Sequence, residues 1–250
     1  MAGTGAYGYS GDNGPATSAN LGSPAGIAVD GLGNLFIADK NTHTIRKVTT
    51  TGTITTVAGN GSSGFSGDTG PAISANLNSP YAVAVDAAGN LFIADMGNHR
   101  IRKVSIDGNI NTVAGTGTQG FSGDTDLAIN ANLNTPSGIA VDGTGNLFIA
   151  DALNHRIRKI TTDGKINTIA GTGNQGFSGD TGPATSADLA SPTGIALDGT
   201  GNLFIADLAN HRIRKIDTGN IITTVAGNST QGFSGDNGQA TSANLNNLPM

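Results

Sequence analysis

The chain has 250 residues, which fits one large domain or a short array of repeats. Its net charge of −5 argues against nucleic-acid binding, which needs a positively charged surface. It contains no cysteine, which excludes disulfides and thiolate metal sites. All eighteen acidic residues are aspartate, and only 4% of the residues are aromatic; this composition disfavours a helix-rich fold because aspartate prefers turns to helices.

The sequence shows no targeting or membrane segment. The first residues, MAGTGAYGYSGD, contain neither a basic region nor the apolar core of a signal peptide, and no apolar run approaches the length of a membrane span. A processed precursor would look the same. A cysteine-free chain fits an extracellular protein stabilised without disulfides, so we expect an extracellular location, while a cytosolic one stays open.

The first predicted element is a glycine-rich loop, and a unit of four predicted strands follows it. In the second copy of this unit the strands are YAVAVD (81–86), LFIAD (91–95), RIRKVS (100–105) and INTVAG (110–115). Short turns of Gly, Asn and Asp join them, which predicts a four-stranded antiparallel meander. The first two strands are apolar on both faces and should be buried, whereas the third alternates apolar and charged residues and should lie nearer the surface.

The unit recurs every 56 residues without insertion or deletion. The motif NLFIAD begins at Asn34, Asn90, Asn146 and Asn202, and the aspartate of Ser-Gly-Asp is Asp12, Asp68, Asp124, Asp180 and Asp236. Four-stranded sheets at a fixed period indicate an all-β fold, a β-propeller of four blades in a single repeat domain, 1–250. The predicted division is loop 1 at 1–24, blade 1 at 25–59, loop 2 at 60–80, blade 2 at 81–115, loop 3 at 116–136, blade 3 at 137–171, loop 4 at 172–192, blade 4 at 193–227 and loop 5 at 228–250.

The inter-blade loops are long for connections between blades, which favours a functional role for them. In loop 4 the stretch PATSADL predicts a short helix, with Pro183 at its first position and Asp180 or Thr181 near its N-cap. Pro192 should keep that helix from extending into the next strand.

The pattern P-x-G-I-A-V-D-x-x-G-N-L-F-I-A-D-x-x-N-H-R-I-R-K-V resembles the NHL repeat, and the resemblance covers essentially the whole chain. It is similar in particular to the long bacterial type that carries G-F-S-G-D-x-G-P-A-T-S-A between blades. The resemblance implies a propeller with a central channel, usually of six blades, that serves mostly as a binding platform. The chain departs from it by having four strand sets, by Thr42-His43-Thr44 in place of Asn-His-Arg, and by Asp126-Leu127 in place of Gly-Pro.

The two ends of the chain are copies of the same loop, residues 2–24 and 226–249, and no strand remains to complete a split blade. Three hypotheses for closure follow. The chain forms a four-bladed ring, or two chains form a ring of eight blades, or the chains stack head to tail as an open assembly.

One histidine per blade raises the possibility of a metal site. His43, His99, His155 and His211 should share an end of the propeller with the Gly-Phe-Ser-Gly-Asp loops, and histidine with carboxylate can bind Zn²⁺. A structural role is the stronger interpretation, because each histidine lies at a hairpin bend away from the axis. There it would donate a hydrogen bond to a backbone carbonyl or to the aspartate four residues earlier, such as Asp95 for His99.

The loop aspartates raise Ca²⁺ as an alternative cofactor, but Ca²⁺ prefers clustered carboxylates and most loops supply one. Helix capping or an Asx-turn explains these aspartates without a metal, and also Asp30, Asp86, Asp142 and Asp198 at the first turn. We therefore expect no cofactor, with Ca²⁺ and Zn²⁺ left as alternatives.

Two further patterns accompany the loops. The third-strand cations predict a solvated outer face, paired in part with aspartate: Arg102, Lys103, Arg158, Lys159, Arg214 and Lys215. Phe65, Phe121, Phe177 and Phe233 are expected to anchor their loops on a blade, as Tyr9 does in loop 1. Together with Asp12, Asp68, Asp124, Asp180 and Asp236, these phenylalanines are the candidate binding residues of the loop face.

The functional interpretation is a non-enzymatic scaffold that presents its loops to a protein, a glycan or another copy of itself. An active site should break the repeat at one blade, and nothing does so convincingly. The alternative is a metal-dependent lyase or hydrolase, or a fragment of one. The similarity between blades favours recent duplication or a designed consensus sequence.

Overall fold

The chain folds into four antiparallel sheets, the blades of a β-propeller, in a computed structural model that describes residues 2–246. Blade 1 contains β1 (Gly14–Pro15), β2 (Pro24–Val29), β3 (Leu35–Asp39), β4 (Thr44–Val48) and β5 (Thr53–Ala58). Blade 2 contains β6 (Gly70–Pro71), β7 (Pro80–Val85), β8 (Leu91–Asp95), β9 (Arg100–Val104) and β10 (Asn109–Ala114). Blade 3 contains β11 (Pro136–Val141), β12 (Leu147–Asp151), β13 (Arg156–Ile160) and β14 (Ile166–Ala170). Blade 4 contains β15 (Pro192–Leu197), β16 (Leu203–Asp207), β17 (Arg212–Ile216) and β18 (Ile222–Ala226).

The predicted fold class is confirmed: each blade is a four-stranded antiparallel meander whose first strand lies innermost. Every blade begins one residue before its predicted bounds, because the proline at positions 24, 80, 136 and 192 is already part of the first strand. Every blade also ends one residue early, at the alanine that closes its last strand. In blades 1 and 2 a two-residue strand of the preceding loop pairs with the outermost strand. The loop therefore belongs to the outer edge of the blade that follows it.

The predicted short helix in each loop is a single 3-10 turn of three residues, such as Ala184–Ser186 in loop 4. Pro183 is its N-cap residue rather than its first helical residue, and no side chain caps the turn. The capping role predicted for Asp180 or Thr181 is therefore wrong, because Asp180 instead pairs with an arginine of the next blade. None of the helices in residues 2–246 has the length and hydropathy to cross a membrane.

The core consists of apolar clusters between consecutive blades rather than one central core. One cluster joins blades 1 and 2, a second joins blades 2 and 3, and a third joins blades 3 and 4. Each includes two alanines and a leucine of the loop between the blades, such as Ala72, Ala75 and Leu77. Within residues 2–246 no such cluster joins blade 4 to blade 1, so the described chain is an open arc and not the closed four-bladed ring.

The arginines of the third strands are buried, which corrects the prediction that they form a solvated outer face, while Lys103, Lys159 and Lys215 are partly exposed. Arg46, Arg102, Arg158 and Arg214 are 0% exposed, although they alternate with apolar residues in the sequence. The reason is that the preceding loop folds over the third strand and covers its second face. Only the pairing of these cations with aspartate was predicted correctly.

Candidate functional site

The buried arginine of each third strand is the centre of a joint between loop and blade. In blade 2 the Nη2 atom of Arg102 donates to Asp68 Oδ1 at 2.7 Å and to the carbonyl oxygen of Ser66 at 3.0 Å, both in loop 2. Its Nη1 atom lies 3.4 Å from Oδ2 of Asp95, at the end of the second strand. Arg158 and Arg214 make the same contacts in blades 3 and 4. One guanidinium thus fastens the loop to the blade from both sides.

The aspartate at the end of the second strand accepts hydrogen bonds from several elements. Asp95 is fully buried and accepts from the backbone N–H of Asn78 at 2.7 Å and from the side-chain amide of Asn98 at 2.8 Å. Burial raises the pKa of Asp95 to about 6, although Asn98, the Asn78 N–H and Arg102 all favour its ionised form. The pKa of Asp151 is raised to about 6 for the same reason.

The aromatic residue of each loop stacks against arginine. The Phe65 ring lies 3.8 Å from the guanidinium carbon of Arg100 and 4.8 Å from that of Arg102. Phe121 and Phe177 have the same two arginine neighbours in their blades. In blade 1, where Thr44 replaces the first arginine, Tyr9 stacks on Arg46 alone, and its hydroxyl bonds to Asp12 and Thr56. These contacts are cation–π anchors of the kind expected for the loop aromatics.

Each histidine has a left-handed backbone, with φ of 53–55°, and three of the four link their blade to the next loop. The Nδ1 atom of His99 accepts a hydrogen bond from the backbone N–H of Thr135 at 3.1 Å, and His43 and His155 accept likewise from Ser79 and Ser191. The predicted bond to Asp95 is wrong, because that carboxylate is occupied by other donors. Burial lowers the pKa of His43, His99 and His155, which favours the neutral ring that an accepting Nδ1 requires.

The aspartates of the first turns are held by local hydrogen bonds. Asp30 Oδ1 accepts from the backbone N–H groups of Leu32 and Asn34, and its Oδ2 accepts from the Asn34 side chain. Asp86, Asp142 and Asp198 repeat this Asx-turn. Within residues 2–246 no group of three or more His and Asp side chains is placed to hold a metal ion.

Loop 5 carries the same motif but has no blade after it in the described residues. Phe233 is 85% exposed, against 42% for Phe65, and no arginine within residues 2–246 pairs with Asp236. His211 Nδ1 is buried without a partner in that part of the chain, and the position 36 residues later, 247, lies outside it. The candidate binding residues therefore fall into two groups, those of the four loops that are bound to a following blade and those of loop 5.

The joints depend on residues that the sequence analysis considered only as acceptors for the histidines. These are Asp39, Asp95, Asp151 and Asp207, which are all 0% exposed. A signal existed, because these aspartates end a completely apolar strand, where a charged residue needs a buried partner. Away from the joints, the innermost strands of all four blades line a cavity of about 200 Å³ that includes Gly26, Ala82, Gly138 and Gly194.

The comparisons with known proteins agree with this architecture. A family model described as the Teneurin NHL domain matches residues 6–64, 105–178 and 172–246. The chain belongs to this family. Its relatives within the family include Teneurin-1 of Mus musculus, 33% identical over 234 residues, and Teneurin-4 of Homo sapiens, 32% identical over 231 residues. The alignments cover 83% and 82% of this chain but only 8% of each relative, so the chain spans a small part of their length.

Solved structures share the fold at low identity. A streptogramin B lyase superposes with a TM-score of 0.55 at 16% identity, over 81% of this chain and 54% of the lyase. An auxiliary nutrient binding protein from Bacteroides ovatus superposes with a TM-score of 0.62 at 21% identity, over 82% of this chain and 49% of that protein. At these identities the likeness shows the propeller fold alone.

Proposed function

We propose that the chain is a non-enzymatic scaffold, which binds proteins or glycans or assembles with copies of itself. The observation that carries the proposal is that the repeated polar side chains make the contacts between loops and blades. Hydrogen bonds and ion pairs of the buried arginines, their aspartates and three of the histidines connect loops and blades. These polar side chains therefore stabilise the fold. Membership of the Teneurin NHL domain family supports the same interpretation.

The surface proposed for binding is the end of the arc that carries the loops and the bends between second and third strands. These two parts are held together there, since the Asn98 side chain donates to the carbonyl oxygen of Gly64 in loop 2. One exposed apolar side chain breaks the repeat on this surface: Leu153, in the bend between the second and third strands, is 43% exposed where blade 2 has Gly97. Apolar side chains in an otherwise polar surface favour a protein partner.

The proposal includes an extracellular location and no resident cofactor. A chain without cysteine has no thiol to protect in an oxidising compartment, which suits that location. The lyases among the solved structures contribute only their fold to the comparison, so no elimination or hydrolysis is carried over to this chain.

A binding screen with matched variants tests the scaffold. The labelled chain is applied to arrays of extracellular protein domains and of glycans, and affinities for the hits are then measured. We expect Leu153→Asp to weaken the hits by about tenfold or more, as truncation of central interface residues does. Ile106→Asp is the control, because this 76% exposed side chain lies in the turn after β9, at the opposite end of the blade.

Two outcomes would contradict the proposal. One is the absence of any protein, glycan or self-association partner for the full chain. The other is a stoichiometric metal in the purified chain, measured by elemental analysis, together with turnover of a substrate.

A further inference from the structure

The hydrogen bond between a histidine ring and the next loop occurs three times with the same length. The Nδ1 atom of His99 accepts from the backbone N–H of Thr135 at 3.1 Å. A neutral imidazole has one accepting nitrogen, whereas a protonated ring has two donors and no acceptor. Uptake of one proton at Nδ1 therefore removes the acceptor from this contact. The equivalent pairs, also at 3.1 Å, are His43 with Ser79 and His155 with Ser191.

The backbone on the loop side of each contact has an unfavourable conformation. Thr135 has φ of 56°, and Ser79 and Ser191, at the same place in the other two loops, have φ of 50° and 49°. Positive φ is unfavourable for residues other than glycine, above all for a β-branched residue such as threonine. The bond to the histidine is one of the contacts that hold this segment, so loss of the acceptor should let the segment leave the bend.

Burial is the main influence on the protonation of these rings. It lowers the pKa of all three histidines, although each ring stays partly exposed and can exchange protons with solvent. In blades 2 and 3 the charge of the next residue, Arg100 or Arg156, lowers the pKa further. In blade 1 the cation of the bend is Lys40, which lies over the Tyr81 ring of blade 2. Burial and the arginines favour the neutral, accepting ring, so the contacts are formed at neutral pH.

An aspartate of the following blade binds the neighbouring amide of the same loop. Asp151 accepts from the N–H of Asn134, one residue before Thr135, and pairs with the buried arginine of blade 3. The charge of the equivalent aspartate in blade 4 opposes the two effects that lower the pKa of His155. These equivalent aspartates are Asp95 for the first contact and Asp207 for the third.

We propose that the three contacts form a pH-sensitive switch, in which acid protonates each histidine at Nδ1 and releases the loop segment that enters the following blade. The closed contact lowers the pKa of its histidine, so it binds fewer protons than the open contact. Its stability is therefore complete above the ordinary histidine pKa of about 6.5 and is lost as the pH falls below that value. The released segments belong to the surface proposed for binding, but the switch needs no partner and is tested on the free chain.

Protonation of the aspartates acts in the opposite direction and at a different amide. Burial raises the pKa of Asp151 to about 6, so the folded chain takes up this proton more readily than the unfolded chain and gains stability as the pH falls through that value. A neutral carboxyl group still has oxygen lone pairs for the Asn134 N–H, whereas a protonated Nδ1 has none for Thr135. Acid should therefore change the protection of the Thr135 amide and leave that of Asn134.

Hydrogen exchange of single amides, followed by nuclear magnetic resonance, tests the switch. Protection factors are compared at about pH 7.5 and about pH 5, because they correct for the intrinsic pH dependence of exchange. We expect protection of the Thr135, Ser79 and Ser191 amides to fall by about five- to tenfold in acid, which corresponds to one net hydrogen bond. The Asn134 amide is the internal control and should keep its protection.

Two variants separate the histidine from the general effect of acid. In His99→Asn the protection of Thr135 should no longer depend on pH, because asparagine has no titrating group. Ser79 and Ser191 in the same molecule should keep their pH dependence, which also shows that the variant is folded. His155→Asn should remove the response of Ser191 alone.

Three results would overturn the switch. They are equal losses of protection at Thr135 and Asn134, unchanged protection at all three histidine contacts, and a Thr135 response that persists in His99→Asn. A binding screen without partners would contradict the scaffold function and leave the switch untouched, because no partner takes part in the exchange measurement.

Discussion

At the scale of single residues, the stability of the blade joints depends on charges that are removed from water. Arg102 has no exposed surface, and it contacts one fully buried carboxylate and one that is 36% exposed. A buried ion pair gains little over well-packed apolar residues, but removal of one partner is costly because the other charge remains buried and unpaired. The arginine therefore holds loop and blade together. Its removal should lower the free energy of unfolding more than removal of any surface cation.

Arg102→Met tests this contribution of the arginine to stability. Met fills part of the volume but leaves Asp95 without its cation and loop 2 without its main attachment, so we expect the free energy of unfolding to fall by about 3–5 kcal/mol. The measurement is urea denaturation followed by circular dichroism. Lys103→Met is the matched control, because Lys103 is partly exposed and should change stability by less than about 1 kcal/mol. Equal effects of the two substitutions would contradict the role given to Arg102.

At the scale of elements, each hairpin bend holds the loop that begins the next blade. His99 and its donor Thr135 both have positive φ, at 53° and 56°, which is unfavourable for a β-branched residue such as threonine. Such backbone conformations persist where surrounding contacts determine them, and here the hydrogen bond between the two residues is one such contact. The histidine thus provides a second attachment for the loop, next to the Asn134 N–H that is bound by Asp151 of the following blade.

A comparison of two equivalent histidines measures how much the hydrogen bond between His99 and Thr135 stabilises the fold. His99→Asn keeps a residue that tolerates the left-handed conformation but withdraws the acceptor from the Thr135 N–H, so we expect a loss of about 1–3 kcal/mol in the free energy of unfolding. His211→Asn makes the same chemical change in blade 4, where Nδ1 has no partner within residues 2–246, and should cost clearly less. Denaturation of the two variants in parallel, at a concentration where the chain is monomeric, gives the difference.

The strands were predictable from the sequence, but the joints were not. The apolar runs LFIAD and the turns of Gly, Asn and Asp determine from local sequence where the strands lie. The strands of blade 2 begin and end within one residue of their predicted bounds. The burial of Arg102 depends on loop 2 folding over β9, a contact across 34 residues that no local pattern encodes. The constant spacing of Asp68 and Arg102 is no signal either, because every pair of motifs in an exact repeat keeps a constant spacing.

At the scale of the whole molecule, nearly identical blades differ only in their neighbours. A repeat array is stabilised by each unit and by its contacts with the adjacent units, so an end unit is less stable than an internal one. Blade 3 packs against a neighbouring blade on both sides, whereas blade 4 packs only against blade 3 within residues 2–246, and its Phe204, Ala206 and Ile213 border an open cavity. The difference in environment shows in the structure, where Phe148 and Ala150 are buried and their equivalents Phe204 and Ala206 are partly exposed.

Hydrogen exchange can measure this difference without any substitution. Residues 147–160 read LFIADALNHRIRKI and residues 203–216 read LFIADLANHRIRKI, so the two segments have the same composition and nearly the same intrinsic exchange rates. At low concentration we expect the blade 4 segment to exchange faster, because its opening breaks one joint instead of two. Equal exchange of the two segments would mean that blade 4 is protected as well as an internal blade, contrary to the open arc.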